Sequence, residues 1–297
     1  MTTVGTAGLY EAELEDPKDI HRAYAFCRRV AQERPEGLWA PRLIPGTSRR
    51  HLSAAAAFLR VAAPPADVAA EARRRTFLED WRRQLAASDR EPPRHPVLAA
   101  VVATLRELDL PREPFDDLLG AFLQDGRRTR YATYKELQGF LRRYAEPVGR
   151  IALMIRGCRD ARRLELSDRL CSALQMTRWM RDVASDLQKD HVYFTGEDFL
   201  EAGYTEADLR MGVVNEGFRT LMKQQWKRAR SLFEESQPLA EALGWPLSWD
   251  VKLAWLSGNA MLRSIQRLGF DTLHQRPARR RWDWPRLMTG AALWRRS

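Results

Sequence analysis

An all-α protein is the fold class that this sequence predicts, and three observations carry the prediction. Apolar residues recur at three- and four-residue spacing almost everywhere along the 297 residues, as on helices that bury one stripe. No stretch alternates apolar and polar residues in the manner of a half-buried strand. Proline- and glycine-containing breakers fall between the periodic stretches.

Taken in order, the periodicity predicts helices near 18–34 and 48–63, parted by the "PGT" of 45–47. The "PP" at 64–65 ends the second, and a third runs near 66–88 up to "EPPRHP" at 91–96. Helices near 95–109 and 113–125 flank "DLPREP" at 109–114. Then come 133–144, 146–157 and a long one at 162–189, for which Ser167 is a candidate N-cap. The breaker "HVYFTGEDF" at 191–199 precedes helices near 206–234, 236–243 and 248–268. None of the breakers has the length or composition of a flexible linker, so a single domain over 1–270 with a basic tail over 271–297 is expected.

Charge and composition narrow the function. Lys and Arg number 49 against 39 Asp and Glu, a formal net charge of +10, which favours anionic partners. The excess is most local in "RPARRRWDWPRLMTGAALWRRS", where arginines interleave with tryptophans; such a tail suits an anionic membrane surface or a helix folded back on the domain. Nucleic-acid binding is disfavoured, because no reader fold or aromatic platform accompanies the charge. The most apolar run, "HPVLAAVVATL", is about half of the roughly 20 residues that a membrane span needs. Cys27, Cys158 and Cys171 have no metal-ligand spacing and read as reduced thiols of a cytoplasmic protein, and the acidic N-terminus lacks the order of a signal peptide. The five histidines show no ligand spacing, and there is no glycine-rich phosphate loop or Ser-His-Asp set.

The segment "ALQMTRWMRDVASDLQKD", residues 173–190, sets Asp182 and Asp186 one helical turn apart, a like-charge spacing that is unfavourable on an isolated helix. Gln175, Arg178, Asp182 and Asp186 form one polar stripe flanked by Arg181. Spacing alone allows a solvated face, with Arg178 paired to Asp182 and Lys189 to Asp186. Spacing favours that solvated face but also allows two carboxylates holding a hard divalent cation that bridges a substrate diphosphate, with arginines on the phosphate oxygens.

Wider similarity separates these readings. "ALQMTRWMRDVASDLQKDHVYF" resembles the second aspartate-rich motif of the squalene and phytoene synthase family. "PFDDLLGAFLQDGRRTRYATYKELQGFLRRYAEPVGRIALMIRG" resembles its central helices, particularly of the bacterial hydroxysqualene synthase branch. "AYAFCRRVAQERPEGLWAPRLIPGTSRRHLSAAAAFLR" resembles the opening helices and "RPARRRWDWPRLM" the tail. The resemblance implies an isoprenoid synthase helical barrel around an apolar cavity, Mg2+ as cofactor, and a prenyl diphosphate of farnesyl type or longer as substrate. It implies metal at Asp182, Asp186 and Asp67, phosphate contacts from Arg60, Arg178 and Arg181, and a site lined by Gln175, Tyr131 and Tyr193.

The chain departs from the family at the first motif. Where the family reads roughly D-D-x-x-D, residues 56–74 are "AAFLRVAAPPADVAAEARR": Arg60 is kept, Asp67 is the surviving aspartate, and Pro64 and Pro65 interrupt the helix. In the second motif the usual Asn is Arg178. Fewer carboxylates and an added cation allow retained prenyl transfer, changed chemistry, or a non-catalytic isoprenoid-binding or assembly protein. Gly149, inside an apolar helical run, implies close packing or a local kink.

Overall fold

The computed structural model describes residues 12–14, 16, 19–32, 46–62, 69–277 and 283–294, and among these it contains helices and no strand. The described residues fall into two compact units. One comprises those up to Arg127 together with Arg150–Arg159, and the other those of Arg128–Gly149 and from Asp160 onward.

The first unit holds α1 (Ile20–Gln32), α2 (Gly46–Ala62), α3 (Ala69–Ala87), α4 (Pro96–Glu107) and α5 (Glu113–Asp125). Helix α1 packs on α2 and α4, and α3 on α5 and α4. The run noted as too short to span a membrane is α4, buried throughout from Pro96 to Leu105; an element apolar on all sides belongs at the centre of a unit. His95 caps it, its side chain accepting from the Val97 N–H. Beside it Phe58 stacks on Trp81 with centroids 5.4 Å apart and meets Phe115 edge-on at 5.0 Å. His51 is structural, sharing a buried hydrogen-bond cluster with the Tyr24 hydroxyl and Thr104 Oγ1. Burial, and then the charge of Arg50, keeps its pKa below the ordinary histidine value. Arg74, 1% exposed, donates to the Ala62 and Phe122 carbonyls, so a cation sits against the last turns of α2 and α5.

The second unit holds α6 (Tyr134–Tyr144), α8 (Ala161–Arg181), α9 (Val183–Leu187), α10 (Gly196–Ala202), α11 (Glu206–Arg210), α12 (Glu216–Ser236), α13 (Leu239–Ala242), α14 (Leu247–Arg267) and α15 (Asp283–Ala292), while α7 (Glu146–Ile155) divides between the two units at Gly149. Helix α8 is the axis, contacting α6, α9, α12, α13 and α14. Close packing is the reason for Gly149: a Cβ there would lie 2.3 Å from Ser167 Oγ and 2.6 Å from Cys171 Sγ. Gly149→Ala is therefore expected to cost about 1–3 kcal/mol of stability, with Ser167→Ala relieving only part because Cys171 stays in the way. Thermal unfolding of the single and double variants checks this, and an unshifted midpoint would show that α7 and α8 part freely. Among the described residues the three cysteines are buried and free, and burial pushes the Cys171 thiol up to about 12, far from a nucleophile's range.

Several predicted elements change at their ends or interiors. The N-cap of α8 is Asp160, which accepts from the Arg163 N–H; Ser167 lies buried inside the helix because Gly149 leaves room for its hydroxyl. The predicted helix 162–189 is two, broken at Asp182 (φ −102°, ψ 16°). The predicted helix 206–234 is also two, because Gly212 turns the chain at φ +71° and Asn215 caps α12. A short helix, α10, starts inside the "HVYFTGEDF" breaker, where Thr195 and Asp198 close a capping box. The tail carries α15, which packs on α14 with Leu287 and Ala291 buried and the Trp294 ring 5.2 Å from that of Trp255.

Candidate active site

The end of α8 gathers most of the predicted residues. Gln175 and Arg178 stand on its last turns, the first half-buried and the second exposed. At Asp182 the backbone serves two helices: its N–H donates to the Arg178 carbonyl at 2.9 Å, and its carbonyl accepts from the Asp186 N–H at 2.9 Å. The side chain, 10% exposed, is clasped by Arg181, whose Nε donates to Oδ1 at 2.9 Å and whose Nη2 donates to Oδ2. Arg276 reaches Oδ1 at 3.4 Å from the segment after α14, and Arg178 Nε lies 3.8 Å from Oδ2. Burial alone would raise the Asp182 pKa, but the Arg181 hydrogen bond and the charges of Arg181, Arg178 and Arg276 together carry it below the ordinary carboxylate value. Three arginines around one carboxylate leave a net positive patch, suited to a polyanion.

Asp186 differs in kind. It lines a small, partly open pocket whose walls include Met176, Trp179, Val183, Tyr193 and Gln225. Burial, then the neighbouring Asp182 charge, pushes its carboxyl up to about 6. Tyr193 stacks on Trp179 with centroids 4.2 Å apart at 11°, and Trp179 faces Phe140 at 6.2 Å. Tyr131 lies further back on this aromatic row, 5.4 Å from Phe140, buried and paired through a single bridge with Thr195. The structure thus brings Asp182, Asp186, Arg178 and Arg181 to one helix junction and puts Asp186 and Tyr193 on one pocket. Arg60 belongs to the first unit, on the last turn of α2, where Nη1 donates to the Val30 carbonyl at 3.1 Å. Asp67 lies outside the described residues.

Two functional candidates escaped sequence reasoning. Arg276 sits in an arginine-rich stretch where no periodicity distinguishes it, and only its contact with Asp182 does. Gln225, 3% exposed on α12, aims its amide at the pocket with Nε2 unbonded among the described residues. Its signal in sequence was one polar residue on an otherwise apolar helix face.

Asp182 and Asp186 carry the oxygen donors that a hard divalent cation takes, though Arg181 already bonds both Asp182 oxygens. Two carboxylates flank the junction, one ionised by its arginines and one whose charge is disfavoured until a cation relieves it. Among the described residues no group of three or more His, Cys, Asp or Glu side chains could hold a metal, so a substrate diphosphate and water would complete any such shell.

Comparison with known proteins gives the class. The chain is similar to a crystal structure of squalene synthase from Alicyclobacillus acidocaldarius, with a TM-score of 0.76 and 29% identity over 86% of this chain and 97% of that one. It also superposes on a dehydrosqualene synthase with a TM-score of 0.80, at 21% identity over 94% of this chain and 99% of that one. Its architecture is that of the all-α isoprenoid synthases. By sequence it is 32% identical to phytoene synthase of Arthrospira platensis over 212 residues, 67% of this chain and 69% of that one. It is 27% identical to 15-cis-phytoene synthase of Synechocystis sp. over 275 residues, 86% and 80% of the two chains. The squalene/phytoene synthase family model matches residues 30–283. The chain belongs to the squalene/phytoene synthase family, and it is a prenyltransferase of that kind.

Proposed function

We propose that this chain acts on prenyl diphosphates of farnesyl type or longer, ionising the diphosphate at the α8–α9 junction and joining the resulting allylic cation to a second prenyl chain. The observation that carries this reading is the placing of an arginine-clasped carboxylate, Asp182, next to Asp186 at the mouth of an apolar, aromatic-walled pocket. Asp182 and Asp186 would hold Mg2+, which bound there would neutralise charge that develops on the departing diphosphate. Arg178, Arg181 and Arg276 offer donors to the same charge, and Gln175 extends the polar contacts. Tyr193 and Trp179 offer ring faces, with Tyr131 behind them, and exclude water from the cation. The family match, residues 30–283, runs through both compact units, which supports one synthase domain, and it continues past residue 270 into the proposed tail of 271–297. A non-catalytic binding role is not favoured, because the family and the similar structure are those of synthases and the second motif keeps Arg181, Asp182 and Asp186.

The test is diphosphate release with product analysis from farnesyl and geranylgeranyl diphosphate, with and without Mg2+. Magnesium-dependent release is expected in the wild type, lost by about 10²-fold or more in Asp182→Asn. Arg276→Gln is expected to raise KM about tenfold with little effect on folding, since that side chain is 78% exposed. Binding of prenyl diphosphate without any release would overturn the reading.

The tail supports peripheral attachment to an anionic membrane. Met288 on α15 and Leu293 just after it are 42% and 74% exposed, while Leu287 and Ala291 are buried. The arginine run 279–281 lies outside the described residues. No helix among the described residues is long and apolar enough to cross a membrane. Cosedimentation with anionic but not neutral vesicles is expected, weakened in Leu293→Ser; equal recovery with both would remove this proposal.

A further inference from the structure

Asp190 ends α9 in the left-handed region at φ +59°, a conformation that costs a non-glycine residue unless its surroundings hold it. What surrounds it is a cluster of two arginines and two carboxylates drawn from three segments. Arg130 Nη1 donates to the Asp190 carbonyl at 2.5 Å and to its own neighbour's carbonyl on Thr129 at 2.9 Å. Its Nη2 donates to Asp190 Oδ1 at 2.9 Å and to Glu206 Oε1 at 2.7 Å, and its Nε to Glu206 Oε2 at 2.8 Å. Arg210 closes the ring, donating through Nη2 to Asp190 Oδ1 at 2.6 Å and to Glu206 Oε1 at 2.8 Å.

The backbone beside the cluster shows what it holds. The Val192 N–H donates to the Thr129 carbonyl at 3.2 Å, the Gly196 N–H to the Tyr131 carbonyl at 3.0 Å, and the His191 N–H back to the Asp186 carbonyl at 2.9 Å. Residues 191–194 are a wall of the pocket that Asp186 lines. Asp190 and Arg210 are 64% and 49% exposed, so these pairs add little to global stability. Yet two arginines, both held by Glu206, converge on one left-handed residue four positions from Asp186. We propose that Arg130, Asp190, Glu206 and Arg210 form a clasp whose role is positional: it fixes the turn after α9 so that His191 and Tyr193 stand beside Asp186 for diphosphate ionisation. The proposal rests on the function read above, and all four are positioning residues.

The test uses the full-length protein and two readouts. Hydrogen exchange over residues 187–194 and steady-state diphosphate release are measured for wild type, Asp190→Gly, Asp190→Asn, Glu206→Gln and Glu206→Asp. Arg230→Gln, which opens the exposed pair with Glu234 on α12, is the control. Glycine and asparagine both accept the left-handed turn; Asp190→Gly removes Oδ1 and with it both arginine bonds, while Asp190→Asn keeps an oxygen acceptor and removes only the charge. Asp190→Gly and Glu206→Gln are expected to exchange about tenfold faster over 187–194 and to lose about tenfold or more in kcat/KM, with Asp190→Asn changing less. Their thermal midpoints should stay within about 2 °C of wild type. Glu206→Asp should restore part of both losses, and Arg230→Gln should change neither. Wild-type exchange in Asp190→Gly and Glu206→Gln would overturn the clasp itself. Faster exchange with unchanged kcat/KM would overturn its positional role. A wild type that releases no diphosphate under any condition would refute the functional reading and with it the catalytic meaning of the clasp, while the exchange data would still decide whether the clasp orders the turn.

Discussion

Asp186→Asn should abolish magnesium-dependent diphosphate release, by about 10³-fold, and at the same time make the ligand-free protein more stable at neutral pH. Both effects come from one property. Burial in the pocket and the charge of Asp182 hold the folded-state pKa of Asp186 at about 6, above its ordinary 3.8. A carboxyl raised in the folded state favours folding when protonated and opposes it when ionised. The penalty is therefore present in full above pH 6, shrinks as pH falls from 6 toward 4, and is gone below the unfolded value. Asparagine carries no such penalty at any pH. Thermal unfolding at pH 7.5 should show the variant above the wild type, and at pH 4.5 the gap should largely close. Retained release in the variant would sink the assignment of Asp186 to the diphosphate site. A stability gain equal at both pH values would show that the carboxyl is not held near 6.

The pairing of lost activity with gained stability also answers why a helix would set two like charges a turn apart. The spacing of Asp182 and Asp186 was readable in the sequence, as were Arg178, Arg181 and the helical class of the whole chain. The break at Asp182 was not, because the apolar stripe of Leu170, Leu174, Val183 and Leu187 continues through it and periodicity registers no change of axis. Arg276 could not be found from sequence, since its partner is 94 residues away and neighbouring arginines are alike in pattern. Helix α10 was hidden inside a breaker: glycine at its first position and threonine before it look like a loop until Asp198 is seen closing the capping box. Gly149 showed the opposite, a local anomaly whose cause, the Ser167 and Cys171 side chains of α8, lies in tertiary packing.

Arg228→Met is expected to be the most damaging substitution to the fold outside the site. Asp198 is fully buried, and its Oδ1 accepts from Arg228 Nη1 at 2.5 Å while Oδ2 accepts from the Thr195 N–H at 2.9 Å. The Arg228 guanidinium also lies 4.2 Å from the centroid of the Tyr134 ring, whose hydroxyl reaches Met176 Sδ on α8 at 3.9 Å. One side chain therefore ties α12 to α10 and α6, and through Tyr134 to α8, the helix that ends at Asp182. Removing it leaves a carboxylate inside the unit with its charge uncompensated, which costs about 3–5 kcal/mol, or roughly 6–20 °C in thermal midpoint. Asp198→Asn should cost less, because its one amide oxygen keeps the Thr195 cap bond and no carboxylate is left unpaired, although its NH2 then faces the Arg228 donor. The ordering of these two variants is the informative result. If Asp198→Asn proved the more damaging, the capping box and not the ion pair would be what holds α10, and the pocket wall that begins at His191 would depend on the local turn alone.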